Sequence, residues 1–252
     1  MKSSTQEIHA RRQRIEQLVA AHSISLTELS KQLNISEMTA RRDCAVLEKM
    51  GIISRHKGIL SILNSTSNEH NSSINSIEDV LAAKAAKYIK DNTVLFINSS
   101  KTAIKTVNYL TAQNVTVITN NLNVLHEKLP TSTNLILSGG RYYPSTAMVA
   151  GDLAFNSFAG FHANYAIIGC DGITPNEGVT TSKIEGARIN RVIVSHSKKV
   201  ILVTSYAKIG NVSNLKIADP ENIDVLITDT FADKQQVTQL RKKGIQVIQL
   251  SV

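Results

Sequence analysis

Cysteine is scarce: Cys44 and Cys170 are the only two in 252 residues. A disulfide framework needs several paired cysteines, so that class is excluded and a reducing, cytoplasmic setting is the expectation. Long apolar runs are missing as well. No stretch approaches the ~20 residues a membrane-crossing helix requires, and the start MKSSTQEIHARRQ lacks the apolar centre of a signal peptide. The histidines His9, His22, His56, His70, His126, His162 and His196 are scattered, with no His/Cys spacing of a metal site. Ser182 and His196 belong to no nucleophile motif, and no internal repeat is found. No membrane partner, cofactor, metal or catalytic residue is therefore expected.

What is present is a chain able to bury a core, with 42% hydrophobic and 19% charged residues, and a formal net charge of +8. The charge is uneven. Residues 1–60 hold ten of the 28 basic residues against six of the 20 acids, a net +4, and the other 192 residues share the remaining +4. Positive charge is roughly three times denser at the start, as in a small nucleic-acid module joined to a larger, nearly neutral domain.

Periodicity predicts a first helix over Thr5–Ala21, with Ile8, Ile15, Leu18 and Val19 inward and Arg11, Arg12 and Arg14 outside that stripe. Ser25 and Glu28 read as a capping box opening a second helix, which Asn34 stops. Ser36 caps a third, running to Met50 and closed by Gly51. At about 100° per residue, Ala40, Cys44 and Leu47 share its core face, while Met38, Arg41, Arg42 and Ala45 point away and Thr39 lies on the flank. Two short β-rich runs follow, Ile52–Arg55 and Ile59–Ile62, around a basic tip of His56, Lys57 and Gly58. This order is a winged helix-turn-helix. Its third helix fits the DNA major groove, where arginine bridges guanine O6 and N7, and Arg55, His56 and Lys57 of the wing fall beside phosphates or the minor groove.

The segments Arg12–Ile15, Leu26–Leu29, Ile35–Asp43 and Leu47–Gly51 resemble the DeoR family of bacterial transcriptional regulators. The resemblance places Ser36, Thr39, Arg41 and Arg42 on the recognition helix. Cys44 stands where a leucine is usual, and His56-Lys57-Gly58 where the family has His-Gly-Gly.

Residues 64–76 are nearly all Ser, Asn and Thr and read as a flexible linker. The expected division is residues 1–63 as the DNA-binding domain, 64–76 as the linker and 77–252 as an effector-binding and oligomerisation domain. In the last, apolar runs alternate with helical patterns: helices at Ile77–Lys90, Thr102–Leu110, Leu122–Lys128, Val149–Phe158, Glu185–Ser195 and Asp233–Lys243, and strands at Val94–Ile97, Val115–Thr119, Leu135–Ser138, Tyr165–Gly169, Val200–Thr204, Val225–Thr228 and Gln246–Leu250. The fold class is α/β, an open and mostly parallel sheet, which binds ligands at the carboxyl ends of its strands. Polar turns follow those strands: Asn98, Ser99, Ser100, Lys101 and Thr102; Asn120; Gly139 and Gly140; Asp171. The first opens a helix and offers backbone N–H groups, hydroxyls and a lysine to a phosphate.

The resemblance extends over this domain through Thr119-Asn120, Leu137–Gly140, Gly169–Ile173, Gly178–Thr181, Glu185 and Lys208–Gly210. It implies a fold shared with ribose-5-phosphate isomerases, a sensor for phosphorylated sugars or polyols, and effector roles for Thr119, Glu185 and Lys208. The loop that usually reads Asp-Ser-Gly-Thr-Thr is Asn98–Thr102, and Ser205 stands for a usual aspartate. The expected function is a regulator, most simply a repressor of a carbohydrate-use operon, released from double-stranded operator DNA by a phosphorylated sugar or polyol. The alternatives are a regulator whose pocket no longer senses such a ligand, and a sugar-phosphate isomerase using Asp171 or Glu185 as base. Few base contacts per winged module imply a homo-oligomer, dimer or tetramer.

Overall fold

The computed structural model describes residues 5–50, 52–56, 58–62 and 76–251. The chain divides into two compact units, one ending at Ile77 and the other spanning Glu78–Ser251. Among the described residues, no helix is long and apolar enough to cross a membrane.

In the first unit, α1 (Thr5–Ala21) is followed by β1 (Ile24–Ser25), α2 (Leu26–Gln32), α3 (Glu37–Lys49), β2 (Ile53–His56) and β3 (Ile59–Ile62). Local chemistry sets the helix starts. Ser25 Oγ accepts from the Glu28 N–H and its hydroxyl donates to the Glu28 carboxylate, and Ser36 Oγ accepts from the Thr39 N–H. Asn34 takes a φ of 51° between α2 and α3. Ile15, Val19, Leu29, Ala40, Cys44, Leu47 and Leu60 form the core. The three strands pair antiparallel in the order β1-β3-β2. Gly51, Lys57 and residues 63–75, which include all of the expected linker except Ser76, lie outside the described residues.

The second unit is built on seven parallel strands. After α4 (Ile77–Ala86) these are β4 (Val94–Ile97), β5 (Thr116–Thr119), β6 (Asn134–Leu137), β9 (Tyr165–Ile168), β12 (Val200–Val203), β14 (Val225–Asp229) and β15 (Gln246–Leu250). Their spatial order is β15-β14-β12-β9-β4-β5-β6, all in parallel register. The chain runs outward from β4 to β6, then crosses back to β9 and continues the other way. That reversal leaves a crevice between the carboxyl ends of β4 and β9, where open sheets of this kind place ligands. Phe96 of β4 meets Phe158 edge-on at 5.2 Å, pinning helix α6 (Asp152–Ala159) to the sheet.

Several boundaries differ from the sequence expectation. Val149 and Ala150 are not helical: they form β8 (Met148–Ala150), paired to β7 (Arg141–Tyr143), and Gly151 at φ 99° separates β8 from α6. The helix expected at Thr102–Leu110 is a single turn, α5 (Lys101–Ile104), continued by a 3-10 turn at Lys105–Tyr109, and Leu122–His126 is also 3-10. Helix α4 stops at Ala86, four residues short. A separate antiparallel sheet was absent from the sequence reading: β10 (Gly172–Thr174), β11 (Gly178–Thr181) and β13 (Leu215–Ala218), in the order β10-β11-β13. Helices α7 (Ile184–Ser195) and α8 (Lys234–Lys242) complete the unit.

Candidate functional site

In the first unit the candidate surface is the outer face of α3. Ser36 and Thr39 bond to each other, hydroxyl to hydroxyl at 2.9 Å, so both hydroxyls rigidify the first turn. Arg41 and Arg42 are exposed, and neither is in an ion pair among the described residues. The neighbouring Asp43 behaves oppositely. Its side chain is 4% exposed and accepts from Arg11 Nε at 2.6 Å and Arg12 Nε at 3.0 Å. The two arginines read as outward are thus half-buried and bind α1 to α3. Arg55 on the wing strand donates through Nε and Nη2 to the two oxygens of Glu48, at 2.9 and 3.0 Å. It holds β2 to α3, which sequence spacing did not indicate. His56 continues β2, its backbone opposite Ile59. Lys57 lies outside the described residues.

In the second unit a cleft of about 280 Å³ lies at the reversal of the sheet, lined by Asn98 to Thr102, Gly169 to Asp171, the end of β12 with Thr204 and Ser205, and the start of α7. Asn98 crosslinks the two central strands. Its Oδ1 accepts from the Ser100 and Gly169 N–H groups at 3.2 and 3.1 Å. Its Nδ2 donates to Gly169 O at 3.0 Å and to Asn190 Oδ1 of α7 at 3.2 Å. A carboxylate here could not make the last two bonds. Ser100 caps α5, its Oγ accepting from the Ala103 N–H at 3.2 Å. The same side chain explains Gly169, where a Cβ would fall 2.1 Å from Ser100 Oγ and 2.5 Å from Ser100 Cβ. What remains for a ligand from this loop is the Ser99 hydroxyl, the Lys101 side chain, and the N–H groups of Lys101 and Thr102, none of which has a partner among the described residues.

The opposite wall carries Asp171, Lys183 and Lys208. Burial raises the Asp171 carboxyl, but bonds from the Ser182 N–H, the Ser182 hydroxyl and the Thr181 hydroxyl, together with the charge of Lys183, outweigh it and hold it below its ordinary value. Burial pushes the Cys170 thiol beside it up to about 12, which keeps it protonated at neutral pH. The turn bearing Lys208 is fixed from below: the buried Asp229 accepts from the Tyr206 N–H at 2.6 Å and the Phe231 N–H at 2.9 Å.

Of the residues expected in this site, Asn98, Ser99, Ser100, Lys101, Thr102, Asp171 and Lys208 line the cleft. Thr119, Asn120, Gly139, Gly140 and Glu185 do not. Thr119 is buried and donates to Ile97 O at 2.8 Å. Asn120 is buried and donates to Val149 O at 3.0 Å, a bond across to the β7–β8 hairpin. Gly140 is a glycine because a Cβ would stand 2.5 Å from the Ala150 carbonyl oxygen, so close chain packing rather than a ligand uses the space. Glu185 is exposed on α7. Conversely, Lys183, Asn190 and Thr204 were missed. Thr204 carried a usable signal, since it follows a strand directly. Lys183 and Asn190 carried none, because only folding brings α7 to the crevice.

A helix-turn-helix with exposed arginines on its third helix, followed by an α/β unit with a polar, lysine-bearing cleft at its switch point, defines a DNA-binding regulator with a sensor domain. Residues 11–66 match the DeoR-like helix-turn-helix domain and residues 78–230 the DeoR C terminal sensor domain. The chain belongs to the DeoR family. It is 32% identical over 245 residues to the uncharacterized HTH-type transcriptional regulator YulB of Bacillus subtilis, covering 94% of this chain and 95% of that protein. It is 26% identical over 212 residues to the glycerol-3-phosphate regulon repressor of Escherichia coli, 82% of this chain and 84% of that one. A ribose 5-phosphate isomerase from Plasmodium falciparum aligns with 54% of this chain and 53% of its own at 14% identity, with a TM-score of only 0.38.

Proposed function

We propose that the chain represses a carbohydrate-use operon and leaves its operator when the cleft takes up a phosphorylated sugar or polyol. On this reading residues 1–63 bind double-stranded DNA, 64–76 link, and 77–252 sense the ligand and assemble the oligomer. The carrying observation is the cleft itself. Lys101, Lys183 and Lys208 border it without an ion pair among the described residues, beside the free N–H groups that open α5. Such donors hold a phosphate dianion, while Asp171, kept ionised, is an acceptor for a sugar hydroxyl. Relatives with repressor names, including a glycerol-3-phosphate regulon repressor, support the same reading.

DNA recognition is assigned to Arg41 and Arg42 on base edges, with His56 and Lys57 on the backbone and Ser36 and Thr39 holding the first turn of α3. Arg55 serves through Glu48 as much as through DNA. Catalysis is not proposed. The three bonds to Asp171 Oδ2 hold its carboxyl below the ordinary value and so weaken it as a base, and Glu185 stands outside the cleft. Assembly as a dimer or tetramer through the second unit fits the exposed Leu153 of α6 and Ile184 of α7, helices that also bring Arg188 over the Phe155 ring at 3.7 Å.

A second reading, a pocket tuned to no phosphate, draws on one observation: the Ser100 and Ala103 N–H groups are already bonded inside the loop. Fluorescence anisotropy on DNA from upstream of the protein's own gene, at one stated salt concentration and with a panel of sugar and polyol phosphates, decides between them. Release by one phosphate ester supports the first; tight binding that no ester disturbs supports the second.

A further inference from the structure

We infer that Met38 reads the 5-methyl group of a thymine in the operator, an inference that rests on the DNA-binding reading above. Met38 is 67% exposed, more than any other large apolar side chain in the described part of the first unit. A lone apolar residue on a surface ordinarily needs no explanation; its placement here does. At about 100° per residue, Met38, Arg41, Arg42 and Ala45 fall within an arc of roughly 100°, with Met38 between the two arginines. The opposite face carries Ala40, Cys44 and Leu47, all wholly buried, so Met38 has no share in the core. The first turn that bears it is locked by the Ser36–Thr39 hydroxyl bond.

An apolar tip flanked by two cations matches one feature of a DNA major groove. Guanine edges and phosphates accept from arginine, and the thymine methyl is the apolar group displayed there. Methionine is unbranched and adaptable, so its thioether can settle on a methyl at any step next to the bases the arginines reach. Met38 then discriminates thymine from cytosine at a position where no hydrogen bond is made.

The test uses the full chain and the upstream duplex, its protected site first mapped by footprinting. Each thymine in the site is replaced in turn by deoxyuridine, which removes only the methyl group, and binding is compared for wild type, Met38→Ala and Met38→Leu. Wild type is expected to weaken about fourfold at one or two positions per half-site, the worth of one buried methyl. Met38→Ala should bind the unmodified duplex weakly and be indifferent to that replacement, Met38→Leu should retain the sensitivity, and all three should unfold at the same temperature. Equal sensitivity of wild type and Met38→Ala at every thymine overturns the inference while leaving DNA binding intact. Failure of wild type to bind any upstream fragment removes the DNA-binding reading and the inference with it.

Discussion

In the first unit the arginines that stand out in the sequence, Arg41 and Arg42, remain exposed and unpaired among the described residues, and the chemistry sits on a helix surface. In the second, the residue opening the polar loop, Asn98, is 2% exposed and bonded at both ends of its amide. The one surface is legible because a helix shows its outer face by period alone. The other is a crevice whose most conspicuous residues shape the site, leaving contact to less conspicuous neighbours such as Lys183. Polar residues at a strand end therefore divide into those that hold the site and those that face the ligand, and residue type does not sort them.

The sharpest way to break this contrast lies within the first unit, where Asp43 is the exception to outward-facing charge. Asp43→Ala removes the buried α3 carboxylate to which Arg11 and Arg12 of α1 both bond and should destabilise that unit by about 3 kcal/mol, read from urea unfolding of the full chain. An unchanged transition would mean that the pair of contacts to α1 is dispensable. Arg41→Ala and Arg42→Ala should do the reverse, each costing about 1–3 kcal/mol of operator affinity with the unfolding curve unmoved. If both variants bind the operator as wild type does, α3 is not the reading helix.

In the second unit, Gly169→Ala should cost about 1–3 kcal/mol by overpacking against Ser100, and Ser100→Gly in the same chain should recover most of the loss. Additive losses in the double variant would deny that the two residues share one space. Asn98→Asp replaces a donor with an acceptor opposite Gly169 O and Asn190 Oδ1, at about 1–2 kcal/mol near neutral pH. The deficit should shrink as pH falls, because protonation of the introduced carboxyl restores a donor; a deficit that grows on acidification would contradict the assigned geometry. The smallest effect concerns Asp171. Its folded value lies below the ordinary 3.8, so its contribution to stability is present above 3.8 and lost as pH falls through the folded value. Heat unfolding of Asp171→Asn across acid pH should show a shallower decline than wild type.

Much of the fold was legible in advance. The three N-terminal helices and their caps follow from interactions three or four residues apart, and the parallel strands from short apolar runs bounded by polar turns. The β7–β8 hairpin and the β10-β11-β13 sheet were not, since strands such as Arg141–Tyr143, Gly172–Thr174 and Gly178–Thr181 lack the apolar run that marked the parallel strands, and β13 joins β11 only through tertiary pairing. Val149 illustrates the ambiguity: an apolar residue before a helical pattern reads as helix until Gly151 at φ 99° separates the two.

By itself the sequence determined the helix-turn-helix with its two outward arginines and an open, mostly parallel sheet with polar turns at its carboxyl edge, because these follow from local period, while its motifs carried the resemblance to the family. Tertiary structure alone decided that Asn98 and Gly169, 71 positions apart, bond to each other. It likewise withdrew Thr119, Asn120 and Gly140 from the cleft to structural duty and admitted Lys183 and Asn190 to it. The physical reason is that a buried polar group must find a partner wherever the fold supplies one. Which groups stay free for a ligand is therefore known only after every internal partner has been assigned.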